Sequence, residues 1–429
     1  MPMTDWTIIR RSMSSRLFST VTTVITVAIA VGLMLTLLSM RDSGRRAFER
    51  GSGNMHLLIT ADSSPLVSVL NGIFYANAPA RPITPSKFNQ LTNSFPAEYA
   101  IPTQLGDQYM GLPVLATTPE FFTKFSPNPD FKPGSAELGW ALAEGRIFEA
   151  PFEVVIGARA AREASVNIGD ELALTHGMGE EAHVHRDFLY KVVGILEPTG
   201  ASHDRALFTD LTSSWIIHAH DRRKADNPDA GKPTEADLTD ANKLITGIFL
   251  RLPTRGDSNI SSLLPTVGAQ LRSDPTITVA QPSEEIQSLF RIVGNIDQIL
   301  IAMAATVMLA SAISIMLALY NSMEQRRRQI AVLRVLGSSR PRVFGLVVTE
   351  SAIIGILGGL AGYAVAFIGT RIVAGVLKEK LGLVVEPVFD PQITFIVLVA
   401  SIALAALAGL IPAAVAYRTS VARNLRPTD

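Results

Sequence analysis

Histidines carry the most reactive chemistry in this 429-residue chain: there are seven, and six fall between His176 and His220. Neutral imidazole is the commonest metal ligand, and zinc needs three or four donors that converge in space. His183-Val-His185 sets two rings on one face of a strand, with His176 upstream and His203, His218 and His220 downstream. The spacing matches no standard zinc motif, so ordinary surface histidines are the stronger reading; the metal candidates are His176, His183, His185 and His203. The absence of cysteine removes a disulfide scaffold, a thiolate zinc site and a cysteine nucleophile together. No G-x-x-x-x-G-K-[ST] loop, G-x-S-x-G elbow or H-E-x-x-H pair is present. Ala230-Gly-Lys-Pro lacks both the first glycine and the hydroxyl that would hold magnesium. The chain reads as no enzyme, with no cofactor of its own.

The elements that hold these residues are set by hydropathy. The chain is 48% hydrophobic and only 18% charged, with a mean hydropathy of +0.28, where a soluble protein carries about 25% charged residues. Lys+Arg and Asp+Glu balance at 38 each, which argues against nucleic-acid binding. Residues 17–40, 298–323 and 392–417 hold no charge, and 343–370 hold only Glu350. Each run exceeds the roughly 20 apolar residues that cross a bilayer core. The first run is too long for a signal peptide and lacks a cleavage site, so it reads as a retained anchor. Arg326, Arg327, Arg328, Arg334, Arg340 and Arg342 crowd the connection between the second and third runs against one acid, Glu324. By the positive-inside rule this loop is cytoplasmic, as are both termini.

These runs predict an α-helical membrane protein with four transmembrane helices and one large extracytoplasmic mixed α/β domain between helices 1 and 2. The predicted order is a cytoplasmic segment (1–16), helix 1 (17–40), the external domain with stalk helices at both ends (41–297) and helix 2 (298–323). A cytoplasmic coupling loop (324–342), helix 3 (343–370), a short external loop (371–391), helix 4 (392–417) and a cytoplasmic tail (418–429) follow. Within the insert, residues 55–61, 154–157, 189–196, 247–252 and 276–280 have strand character. Residues 258–272 are spaced as a helix that Pro265 would kink or start later, suggesting a βαβ unit built from both ends of the insert. Residues 65–133 read as loop-rich and 218–240 as an exposed loop. Residues 41–49 continue helix 1, and the capping-box start Ser283-Glu-Glu-Ile leads into helix 2.

Three features concern mechanism. Gly355/Gly359 and Gly358/Gly362 are small-xxx-small pairs that let another helix approach. Glu350 is an intramembrane carboxylate, a functional-site candidate, or else the partner of an arginine such as Arg342 or Arg334. Residues 324–336 form an amphipathic helix with Ile330, Leu333 and Leu336 on its apolar face, and Gly337 stops it. This helix either lies on the membrane surface or docks a cytoplasmic partner.

The pattern E-x-R-R-R-x-I-A-V-L-R-x-L-G at 324–337, then Val348-Thr-Glu-Ser and the glycines at 355–362, resembles the permease family typified by FtsX and the MacB-type exporters. Glu144-Gly-Arg-Ile-Phe, Val155-Ile-Gly-Ala-Arg, Ile168-Gly-Asp-Glu-Leu, Val193-Gly-Ile-Leu-Glu-Pro-Thr-Gly and the tail Gly409-Leu-Ile-Pro-Ala are similar to the same family. The resemblance implies a permease subunit in a bacterial inner membrane, paired with itself or a related permease, with ATP and magnesium on a separate ABC ATPase. It implies that Glu324, Arg326, Arg327, Arg328, Ile330, Leu333, Arg334, Leu336 and Gly337 couple to that ATPase, and that the substrate is a lipoprotein, peptide or small hydrophobic molecule. A periplasmic adaptor or lipoprotein and membrane lipid are the other expected partners. With no fused ATPase domain, the layout is closer to lipoprotein-releasing permeases. The alternatives are an FtsX-like regulator that activates an external partner, and a metal-linked transport component using the His176–His220 cluster.

Overall fold

The computed structural model describes residues 4–79, 81–133, 139–176, 183–227, 229–255, 258–335, 337–381 and 387–418. In chain order, helices α1 (Asp5–Ser14) and α2 (Leu17–Ser52) precede strand β1 (Leu57–Thr60), helices α3 (Pro65–Gly72) and α4 (Pro85–Asn93), and strands β2 (Tyr99–Tyr109) and β3 (Leu112–Thr117). Then come α5 (Glu120–Thr123), β4 (Leu142–Gly145), β5 (Glu153–Ile156), α6 (Ala158–Ala164), β6 (Glu171–His176), β7 (His183–Leu196) and β8 (Leu207–Asp210). Helix α7 (Leu211–Asp226), β9 (Gly247–Arg251), α8 (Leu264–Arg272) and β10 (Thr278–Ala280) complete the insert. Helices α9 (Pro282–Val335), α10 (Arg340–Leu381), α11 (Pro391–Ala408) and α12 (Leu410–Arg418) follow. Two units result: residues 1–43, 292–377 and 386–429 form one, and 44–291 with 378–385 the other.

In the helical unit, Leu17–Ser52, Gln298–Met323, Arg340–Val376 and Pro391–Arg418 are long and apolar enough to cross a membrane. Val27, Val31, Leu35, Ile315, Leu319, Ile354, Val397 and Ala405 fill its interior. Phe18, Ile299, Leu360 and Phe395 are exposed, as lipid-facing side chains must be when the surrounding solvent is hydrocarbon. Helix α11 starts where Asp390 accepts from the N–H groups of Gln392 (2.7 Å) and Ile393 (3.1 Å), with Pro391 in the first turn. Proline there forfeits only a donor that would have had no partner.

The other unit is built on a ten-stranded mixed sheet in the order β10-β1-β9-β2-β3-β8-β5-β7-β4, with β6 pairing β2 and β7. β1 runs antiparallel to both β9 and β10, so β9-α8-β10 is a βαβ unit with β1 inserted between its strands. Helix α8 starts at Leu264 with Pro265 in its first turn. Both faces are covered. Leu58 and Phe249 point into a cluster with Phe121, Phe122, Phe125 and Trp140, while Leu57, Ile59, Ile248 and Leu250 point into another. This is the period-2 alternation of a strand buried on both sides.

Three expectations change. Residues 65–133 hold three helices and two long strands rather than loops; Ser64-Pro65 and Thr84-Pro85 are cap-plus-proline helix starts. The first part of 218–240 belongs to α7, capped by Asp210 accepting from the Thr212 N–H at 2.8 Å, so His218 is helical. Finally, α9 begins at Pro282, one residue before Ser283, and continues through the apolar span and the arginine-rich segment as one 54-residue helix.

Candidate functional site

In the sheet unit, β2 pairs β9 along Tyr99–Thr103 and β6 at Asp107–Gln108. Where it changes partner, its register against β3 slips between Leu105 and Gln108, a bulge of the kind that re-aims a side chain. Gly106 supplies the backbone freedom, with φ +150°; a Cβ there would lie 3.3 Å from His176 Cε1. The result sets the buried Asp107 against two imidazoles from different elements. His176 Nδ1 lies 2.9 Å from Asp107 Oδ1. His218 Nε2, from α7, lies 3.7 Å from the same oxygen, and its Nδ1 is 2.8 Å from Gln104 Nε2. The two rings sit with centroids 5.1 Å apart.

Burial alone would raise the Asp107 carboxyl, but His176 and His218 outweigh it and hold it well below the usual carboxylate range. The hydrogen bond to Asp107 raises His176, burial opposing it. His185 is buried with its Nδ1 3.6 Å from Asp221 Oδ2, and its ring centroid is 6.4 Å from that of His176.

The other sequence-predicted ligands do not join this group. His203 is fully buried, with Nε2 2.9 Å from the Gly51 carbonyl and Nδ1 2.5 Å from the Tyr75 hydroxyl. Burial pushes it down to about 4, against the Gly51 hydrogen bond. With both nitrogens occupied it is a structural residue, not a ligand. His183 opposes His176 across the β6–β7 ladder, and its side chain lies outside the described residues. Asp107, a ligand-type residue far away in sequence, drew no notice; a lone aspartate in a strand gives no local signal.

In the helical unit, Glu350 is buried and accepts from Ser12 at 2.7 Å and from Arg16. Ser12 and Arg16, from the N-terminal segment, are thus among its partners. Arg342 instead reaches Asp5 at 2.6 Å, and Arg334 also has an interaction partner. The glycine pairs face two different helices. A Cβ at Gly358 or Gly362 would meet Val27 at 2.5 Å or Val31 at 2.7 Å on α2. One at Gly355 or Gly359 would meet Ala405 at 2.7 Å or Leu398 at 3.2 Å on α11.

At the end of α9, Gly337 adopts φ +95°. Its N–H bonds the Arg334 carbonyl (3.2 Å) and the Ser338 N–H bonds that of Leu333 (3.0 Å), the paired bonds of a Schellman stop. Ile330 is buried against Val343, Val347 and Ala413 inside the chain, which removes it as an anchor for a partner. Leu333 is half-buried, while Val332 and Val335 are exposed. The side chains of Glu324, Arg326, Arg327 and Arg328, and all of Leu336, lie outside the described residues.

The MacB-like periplasmic core domain family matches residues 20–253, more than half of the chain, and the FtsX-like permease C-terminal family matches 301–421. This chain belongs to the ABC transporter permeases of the FtsX/MacB type. An uncharacterized ABC transporter permease of Methanocaldococcus jannaschii is 21% identical over 299 residues, 68% of this chain. This chain thereby spans 66% of that relative's length. Among solved structures, the extracellular domain of the noncanonic ABC-type transporter YknZ from Gram-positive bacteria aligns over 52% of this chain and 98% of its own, at 9% identity and a TM-score of 0.26.

Proposed function

We propose that this permease couples ATP hydrolysis on a separate ATPase chain to movement of its sheet domain at the outer face of a bacterial cytoplasmic membrane. The movement extracts or expels a lipoprotein, peptide or small hydrophobic molecule. The continuity of α9 carries this reading: 54 residues without a break run from the edge strand β10 through the apolar span to the turn at Gly337. The hydrogen-bonded ladder of such a helix resists compression along its axis. Helix α2, with 36 residues, is a second continuous helix. The ATPase docks at the C-terminal end of α9, where Val332 and Val335 offer apolar contact within an arginine-rich segment. ATP and magnesium stay on that partner, and a second permease copy or a related chain completes the pair.

The test uses the absence of native cysteine. Spin labels on Asn227→Cys and Ser338→Cys report separation in the full chain assembled with its ATPase in lipid nanodiscs. ATP should change the distance in the parent. Replacing Gln287 by Pro, which breaks a helix interior, should leave assembly and ATP hydrolysis in place while removing the change. An unchanged response in the Pro variant, or no response in the parent, would overturn mechanical coupling.

A further inference from the structure

We propose that Asp107, His176 and His218 form a binding site for a divalent transition-metal cation of the zinc type, with three protein ligands and one open position. Among the described residues these three offer ligand atoms that all lie within 4.8 Å of one another. A tetrahedral zinc ion with bonds of about 2.0–2.1 Å sets its ligand atoms about 3.3 Å apart. The separations of 2.9 Å for His176 and 3.7 Å for His218, each to Asp107 Oδ1, bracket that value. The His176 and His218 ligand atoms lie within 4.8 Å of each other, and side-chain rotation about χ1 and χ2 can bring both rings onto one ion.

The donor set fits the ion. Two imidazoles and one carboxylate suit zinc, copper or nickel, while calcium and magnesium prefer oxygen alone. The surroundings fit as well. Asp107 is 8% exposed and brought to the imidazoles by the bulge at Gly106. His218 Nε2 is buried with no hydrogen bond, facing Asp107. Behind it, Gln104 lies 2.8 Å from the opposite ring nitrogen. With its amide turned so that the oxygen accepts from Nδ1–H, Gln104 would fix the tautomer that leaves Nε2 free to ligate, as carbonyl and carboxylate partners do around zinc. An entry path exists: the His176 side chain is 48% exposed, and Asp107 also lines an open cavity of about 220 Å³ beside Gly106, Gln108 and Arg205. Three elements distant in sequence thus converge on one point, which ordinary surface histidines have no reason to do. The site belongs to the sheet unit and does not depend on ATPase coupling.

The experiment uses the full chain in detergent, purified through a histidine-free tag, stripped with chelator and titrated with Zn²⁺ against a chromophoric competitor. One equivalent per chain is expected. His176→Ala and His218→Ala should each weaken binding at least tenfold, and His56→Ala, outside the cluster, should leave it unchanged. Co²⁺ should give the intense visible spectrum of a four-coordinate site, lost in His176→Ala. Because His176 is half-exposed, that variant keeps the fold where a change at Asp107 could disturb it; an unchanged thermal unfolding curve without metal confirms this. Binding below one equivalent that is indifferent to His176 and His218 would reduce the cluster to a proton-held ion pair and overturn the proposal.

Discussion

Alanine at Gly358 is the sharpest test of the helical unit. Its Cβ would fall 2.5 Å from both Val27 Cβ and Cγ1, with the Val24 carbonyl at 3.4 Å. Carbon atoms rest at about 3.5–4.0 Å, so α2 and α10 would have to separate by about 1 Å. Val27 Cβ is fixed to its backbone and no rotamer change relieves the clash. Overpacking of this kind costs about 1–3 kcal/mol, and between membrane helices packing is the main attraction that a separation would forfeit. Alanine returns up to about 1 kcal/mol of helix propensity, which leaves a net loss of up to about 2 kcal/mol. Gly375, on the same helix, has nothing within 4 Å of the added atom, so Gly375→Ala should be neutral or stabilise by up to about 1 kcal/mol. Unfolding of the purified chain by SDS in mixed micelles, followed by circular dichroism, measures both. The midpoint should drop for Gly358→Ala and hold or rise for Gly375→Ala, with Gly358→Val worse than Ala. Equal shifts for Gly358 and Gly375 would refute close α2–α10 packing as the role of this glycine.

Burial of neutral His203 makes the sheet unit acid-sensitive. Its value in the fold is about 4 against an ordinary 6.5, so between these pH values the unfolded chain takes up the proton first and stability falls as pH drops. The loss should reach about 3 kcal/mol by pH 4, and His203→Gln should flatten this slope in thermal unfolding measured across the range. Glu350→Ala strands the Arg16 guanidinium in a buried site, and breaking such a pair costs about 3–5 kcal/mol; Glu350→Ala with Arg16→Met should recover much of the loss, seen in the SDS midpoint. For topology, Ser338→Cys should resist a membrane-impermeant thiol reagent in intact spheroplasts while Asn227→Cys labels. The reverse pattern would invert the arrangement derived from the arginines.

The four apolar runs, the arginine-rich connection and the glycine stop at Gly337 were all legible in the sequence, because each depends on neighbours within a few turns. A run of uncharged residues announces a span whatever it packs against, and a glycine after a helical pattern marks the C-terminal stop that needs positive φ. Strands β1, β5, β9 and β10 could be found for the same reason: Leu57–Thr60 and Gly247–Arg251 are apolar on both faces, which only a doubly covered sheet accommodates. The helices and strands of 65–133 were hidden because short, half-polar elements take their stability from a sheet assembled out of distant segments, although Ser64-Pro65 and Thr84-Pro85 marked the helix starts.

Side-chain partnership was beyond the sequence. Glu350 could have met any of several arginines, and only the tertiary structure brings Ser12 and Arg16 to it. The apolar face of residues 324–336 looked free for docking, yet Ile330 is enclosed by Val343, Val347 and Ala413. Glycines spaced four apart announce close approach without naming the neighbour, and here one pair meets α2 and the other α11. The histidines show the limit most plainly. His183, His185 and His203 were grouped with His176 by nearness along the chain. The fold instead buries His203 with both nitrogens bonded and places His176 and His218 around Asp107. Metal-ligand geometry is a matter of a few ångströms, and distances between β2, β6 and α7 exist only once the sheet has paired and the bulge at Gly106 has turned Asp107 toward them.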